Sequence, residues 1–254
     1  MKTLSRILLG ACLVSATALQ AQTGLILPYG STWRYLDDGS DQGSGWRAAG
    51  FDDSGWPSGS GQLGYGDGDE ATVTGFIDTD PVSSGAQRNA TTYFRATFDV
   101  PDPGRLTSLS LTLLYDDAGA VFVNGVEVAR TSNIAANASH NTFATSNSTD
   151  NATQTWVLSP SVLVPGSNSI AVEIHQASAT SSDASFDLQL IGASHVTRGP
   201  YLQMNNDSGV TVRWRTDSAT DSIVWTGATP GTLAPSATDA ALTTEHEVRV
   251  GSIH

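Results

Sequence analysis

Between Leu109 and Arg130 the chain reads LSLTLLYDDAGAVFVNGVEVAR, with Leu109, Leu111, Leu113 and Tyr115 at every second position. After an Asp-Asp-Ala-Gly break, Val121, Val123, Val126 and Val128 flank Asn124-Gly125. Period-two apolar residues around Asn-Gly predict strands closed by a tight hairpin, because both turn positions need positive φ. The same alternation returns elsewhere. Phe94, Ala96, Phe98 and Val100 oppose Tyr93, Arg95, Thr97 and Asp99, as on a half-buried strand. Short strands are also predicted at Trp33–Leu36, Trp156–Leu158, Ile170–Ile174 and Phe186–Leu190, with turns such as Pro101–Gly104 and Val164–Asn168 between them. Many short strands with turn signals, and no helix of normal length after the first residues, predict an all-β sandwich or jelly roll.

Two long segments lack this periodicity. Asp37 to about Asn89 is rich in Gly and Asp, and carries Trp46, Phe51, Trp56 and Tyr65 at irregular spacing. A loop this long inside a compact domain is expected to be pinned, here by its aromatics or by an ion. The second, from Arg130 to about Thr155, is Ser, Thr, Asn and Ala and predicts a long exposed loop. From Val196 the texture changes to a further set of strands, with Val210, Val212 and Trp214 on one face and Arg213 and Arg215 on the other.

Composition narrows the setting. Lys2 and Arg6, an apolar run from Ile7 to Leu19, and small residues up to Ala21 have the layout of a signal peptide over residues 1–21, which predicts a secreted or periplasmic protein. Removal of that segment takes away the one cysteine, Cys12, and with it any disulfide or thiolate chemistry. The formal charge of -13 argues against nucleic-acid and membrane-surface partners, since such a surface repels phosphates and anionic lipid.

Chemistry is sparse. His140, His175, His195, His246 and His254 show no ligand spacing, and there is no G-x-S-x-G elbow or phosphate-binding glycine loop. Asp67, Asp69 and Glu70, with Asp78 and Asp80 nearby, form the densest acidic patch: a candidate structural calcium site, or a solvated acidic loop. Trp46, Trp56 and Tyr65 are candidates for a sugar-stacking platform, or for a satellite core that holds the loop down. Asp116, His175 and Asp183 could gather at one tip as a ligand-binding cluster, or cap turns. Adjacent carboxylates on an extended strand point to opposite faces, so Asp116 and Asp117 are not expected to flank one bond.

The segments GWRAAGFDDSGWPSGSGQLGYGDGD, YDDAGAVFVNGVEVAR and NSIAVEIHQASATSSDASFDLQL together resemble the galactose-binding-like jelly roll found in secreted bacterial hydrolases. Arg198-Gly-Pro-Tyr-Leu-Gln203 and the strands after it resemble the fibronectin-III-like N-terminal domain of purple acid phosphatases and related metallophosphoesterases. The resemblance implies a jelly roll over residues 22–194 and a partial fibronectin-III-like sandwich over 195–254. It implies further that the chain is a non-catalytic N-terminal fragment whose parent, with a C-terminal catalytic domain, carries a two-metal phosphatase centre. Of that family's ligand motifs only D-x-G occurs, among other places at Asp37, Asp41, Asp53, Asp117 and Asp207, and this is expected by chance in so Asp- and Gly-rich a chain. The alternative is a stand-alone secreted carbohydrate-binding or adhesion module. On the fragment reading the second sandwich lacks strands, and Val210, Val212, Trp214 and Val224 should face solvent or a poorly packed neighbour.

Overall fold

The computed structural model describes residues 22–75, 88–194, 196–206, 209–226 and 234–251. Its strands are, in chain order, β1 (Gln22–Leu27), β2 (Thr32–Leu36), β3 (Ser58–Ser60), β4 (Leu63–Tyr65), β5 (Thr72–Val73), β6 (Thr91–Val100), β7 (Leu106–Asp116) and β8 (Ala118–Val123). They continue as β9 (Val126–Arg130), β10 (Ala152–Leu158), β11 (Gly166–His175), β12 (Ala184–Ser194), β13 (Val196–Asn206), β14 (Gly209–Thr226) and β15 (Ala234–Gly251). The protein is an all-β sandwich, as its alternation predicts. Among the described residues no helix is long and apolar enough to cross a membrane.

One six-stranded sheet runs β10-β7-β12-β4-β5, with β1 also on β12; the other runs β3-β2-β6-β11-β8-β9. β1 and β4 share one edge of β12, β1 along Leu190–Ser194 and β4 along Ala184–Phe186. Between the sheets lie Leu109, Leu111 and Leu113 of β7, Leu188 and Leu190 of β12, and Ile170, Val172 and Ile174 of β11. Phe186 stacks on Phe94 at 4.0 Å and meets the edge of Trp33 at 4.8 Å, joining the two layers through aromatic contacts. The β8–β9 hairpin turns at Asn124 (φ 51°) and Gly125 (φ 84°), the conformation that their identities predict.

The second sheet departs from the half-buried expectation. In β8 every residue is buried, and Tyr93 and Arg95 of β6 are buried as well. The outer face is small and apolar at Ala120 and Ala171, so the 37–57 segment lies down on it with Trp46, Phe51 and Trp56, beside Leu36 of β2. Arg95 ties that segment in place: its Nε donates to Asp53 at 2.8 Å, and its other nitrogens donate to the carbonyls of Trp46 and Ala48. The 131–151 segment is the long, mostly exposed loop that its composition predicts, pinned at a few points. Ile134 and Ala144 are buried against Ala118, and Asn133 Nδ2 donates to the carbonyls of Asp117 and Ser146.

The third sheet is β13-β14-β15. Trp214 is 6% exposed and stacks on its cross-strand partner His246 at 4.7 Å, so the poor coverage expected for it is not observed. His246 is buried among the hydroxyls of Thr216, Thr220 and Ser222.

Candidate functional site

The strand ends at one tip of the sandwich bring several carboxylates together. β7 stops at Asp116 and β8 starts at Ala118, so the Asp116-Asp117 pair occupies a break between strands and both side chains turn toward the 147–151 segment. Ser148 holds both: its Oγ donates to Asp116 at 2.8 Å and its backbone N–H to Asp117 at 2.9 Å. Asp117 also accepts from the backbone N–H of Ala177 at 2.7 Å. The expectation that these neighbours face apart is therefore corrected, because it assumed one continuous strand.

Between these residues and the β11–β12 connection is a cleft of about 190 Å³, lined by Asp116, Asp117, Asn147, Ser148, Asp150, Asp183 and hydroxyls of residues 178–182. Asp67, from the β4–β5 connection, comes close to two of these lining residues. Carboxylate oxygens of Asp67, Asp150 and Asp183 all lie within 4.8 Å of one another. Gly66 (φ 110°) permits this approach, since a Cβ there would meet the Ser182 carbonyl oxygen at 2.6 Å.

Burial pushes the Asp116 carboxyl up to about 7; the Ser148 hydroxyl opposes this, while Asp117 and Asp183 add to it. Burial also raises Asp67, against the hydrogen bond from Ser185, and Asp183, Asp150 and Asp69 raise it further. Tyr65 is pushed up to about 12, chiefly by burial, although the Arg88 guanidinium 5.0 Å from its ring centre works the other way. Arg88 braces the rim, with its Nε donating to the Ser181 carbonyl at 3.1 Å. The wall of the cleft thus offers carboxylates, hydroxyls and an amide, a set that accepts hydrogen bonds or holds a hard cation.

The structure separates the residues that the sequence grouped. Asp116 and Asp183 line the cleft, and Tyr65 stands beside it. Trp46 is 0% exposed and Trp56 8%, so neither offers a face for stacking a sugar; both are satellite core over the second sheet. His175 is fully buried away from the cleft: its Nδ1 lies 2.8 Å from the Thr142 carbonyl and 3.0 Å from the Thr91 hydroxyl, where it holds the 131–147 segment to β11. Of the acidic patch, Asp67 joins the cleft, while Glu70 accepts from the backbone N–H groups of Asp67 and Gly68. Asp69 accepts from Gln62 and Asn151. Asp78 and Asp80 lie outside the described residues. Asp150 and Ser148 were not singled out in the sequence. The one available signal was that Asp150 is the sole acidic residue between Glu127 and Glu173.

A smaller hollow of about 130 Å³ lies on the third sheet by Tyr201, Trp214 and His246. Arg213 pairs across strands with Glu247 and, beside it, Arg215 with Glu245, while the Arg198 guanidinium lies over the Tyr201 ring.

No family model matches the chain, and no curated protein does. Among solved structures it is similar to a β-glucuronidase from Ruminococcus gnavus in complex with uronic deoxynojirimycin (13% identity, TM-score 0.44, 93% of this chain and 40% of that one). It is also similar to a calcium-binding mutant of Bacteroides uniformis β-glucuronidase 2 (14%, 0.45, 92% and 27%) and to a β-glycosidase from Bacteroides vulgatus (14%, 0.41, 90% and 29%). The chain spans well under half the length of each. At these TM-scores no residue role is transferred. These neighbours are glycosidases and not phosphatases, and no family model joins the chain to a phosphoesterase, so the purple-acid-phosphatase resemblance is corrected. With it falls the reading of the chain as a phosphatase fragment with a phosphoesterase parent.

Proposed function

We propose that the protein is an exported carbohydrate-binding module whose tip cleft takes a neutral, hydroxyl-rich ligand. The observation that carries this reading is the composition of the cleft wall: Asp116, Asp183, Asp150, Asn147, Ser148 and the neighbouring hydroxyls present hydrogen-bonding groups almost alone. Sugar hydroxyls donate to carboxylates in charge-assisted bonds, whereas an anionic ligand meets repulsion. Recognition here rests on those bonds and not on ring stacking, since Trp46 and Trp56 are buried. Asp116, 3% exposed, lines the cleft and is held by Ser148. Export rests on the pattern of residues 1–21.

The test is binding of the full chain to an array of neutral oligosaccharides, followed by calorimetry on the best ligand. Asp183→Asn is expected to weaken binding roughly 10- to 100-fold, the loss of a hydrogen bond to a charged group. Absence of binding to every neutral glycan, or an affinity indifferent to Asp183→Asn, would refute the site.

A further inference from the structure

We propose that the hollow on the third sheet binds a small organic carboxylate, and that the Arg198-Gly-Pro-Tyr-Leu-Gln203 run of β13 builds it. The register of β13 slips between Arg198, which stands opposite Arg215, and Tyr201, which stands opposite Arg213, so β13 spends three residue steps where β14 spends two. Gly199 and Pro200 fill the slip, and Pro200 has no N–H to give to the ladder. A bulge of this kind re-aims the side chains on either side of it. Here the Arg198 guanidinium lies over the Tyr201 ring, 4.4 Å from its centre, and beside them is the hollow of about 130 Å³ that Arg213, Trp214, Glu245 and Glu247 also line.

The polar groups that the fold leaves unmatched here are all donors. Glu247 accepts from Arg213 Nη2 and Glu245 pairs with Arg215, so each acid has its own base. Arg198 has no such partner: among the described residues its guanidinium makes no ion pair or hydrogen bond, and a cation–π contact uses up no N–H. Two buried nitrogens of the lining residues also lack an acceptor, Arg213 Nε and, in a residue 6% exposed, Trp214 Nε1. A buried N–H without an acceptor is destabilising, and a ligand that brings one relieves it. The ligand therefore presents acceptor oxygens, and one unmatched cation calls for one negative charge. A carboxylate meets both needs, since its two oxygens fit the planar fork of a guanidinium. A phosphate dianion would carry surplus charge beside Glu245 and Glu247. Tyr201 holds Arg198 in place before a ligand arrives, so less side-chain freedom is lost on binding.

This site does not depend on the carbohydrate reading, and acetate is its probe. The isotope-labelled full chain is titrated at constant pH and ionic strength while the indole N–H signals are followed by NMR. The signal of Trp214 is the one missing from Trp214→Phe, which keeps a ring against His246. Acetate at millimolar concentration should move it downfield along a saturable curve, as the N–H gains an acceptor. Acetamide, the neutral isostere, and inorganic phosphate should bind about tenfold more weakly or not at all. Arg198→Ala, which breaks no hydrogen bond of the fold, should weaken acetate about tenfold or more. Arg105→Ala, at an exposed arginine elsewhere, and Asp183→Asn in the cleft should leave it unchanged. An acetate titration that does not saturate, acetamide or phosphate bound as tightly as acetate, or equal affinity in Arg198→Ala would overturn the site. Acetate binding with no glycan bound would refute the cleft and support this site; glycan binding without acetate binding would do the reverse.

Discussion

Arg95 shows how one side chain fixes a long irregular segment. Its guanidinium, buried on β6, spends its donors on Asp53 and on the carbonyls of Trp46 and Ala48, three partners within the aromatic loop. Replacing it with alanine strands those acceptors and leaves Asp53 beside an apolar face. Removing one partner of a buried pair costs about 3–5 kcal/mol, and Arg95→Ala is expected to lose that much in urea unfolding. A loss below about 1 kcal/mol would mean that the aromatics alone hold the loop. Arg47, from the segment itself, reaches back to the sheet, lying 4.1 Å over the Phe122 ring and 3.2 Å from Glu173, so the two arginines tie segment and sheet from opposite sides.

At the scale of elements, the β14–β15 hairpin is held by a polar core. Burial lowers the pKa of His246 from its ordinary value, against the opposing pull of Asp221 and Glu245. The unfolded chain therefore binds more protons than the folded one between the lowered value and about 6.5. Stability contributed by neutral His246 is complete above about 6.5 and is lost as the pH falls through the folded value. Amide hydrogen exchange should show protection in residues 209–226 and 234–251 declining from pH 7 to pH 5, after correction for intrinsic rates. His246→Phe should flatten that decline by removing the titrating group while keeping a ring against Trp214. A decline that persists in the variant would place the titrating group elsewhere.

For the whole molecule, charge decides what may approach. A formal charge of -13 and a tip lined with aspartates disfavour polyanions at long range as well as in the cleft. The chain is expected to pass through a heparin or DNA column without retention at low ionic strength, where attraction, if present, would be strongest. Retention there would mean that the scattered arginines form a basic surface strong enough to outweigh the net charge.

The sequence by itself determined the local geometry. Asn124-Gly125 set the hairpin because positive φ is available to few residues, and the alternation of Leu109, Leu111 and Leu113 set which face of β7 is buried because side chains alternate across a strand. It also held an unread sign that β8 is covered on both faces, since Ala118 to Val123 contains no polar residue. Tertiary structure alone decided the cleft. Asp67, Asp150 and Asp183 belong to connections far apart in the chain, and they meet because β12 pairs with β4 and β7 while the 131–151 segment is tied back to Asp117 and β11. Density of acidic residues along the chain marked Asp69 and Glu70, but Glu70 is used by its own loop and Asp69 accepts from Gln62 and Asn151. The fate of Trp46 and Trp56 was likewise a matter of what lay opposite: Ala120 and Ala171 left room on the sheet, and an indole placed there loses more water-exposed apolar surface than it could shed in an open loop.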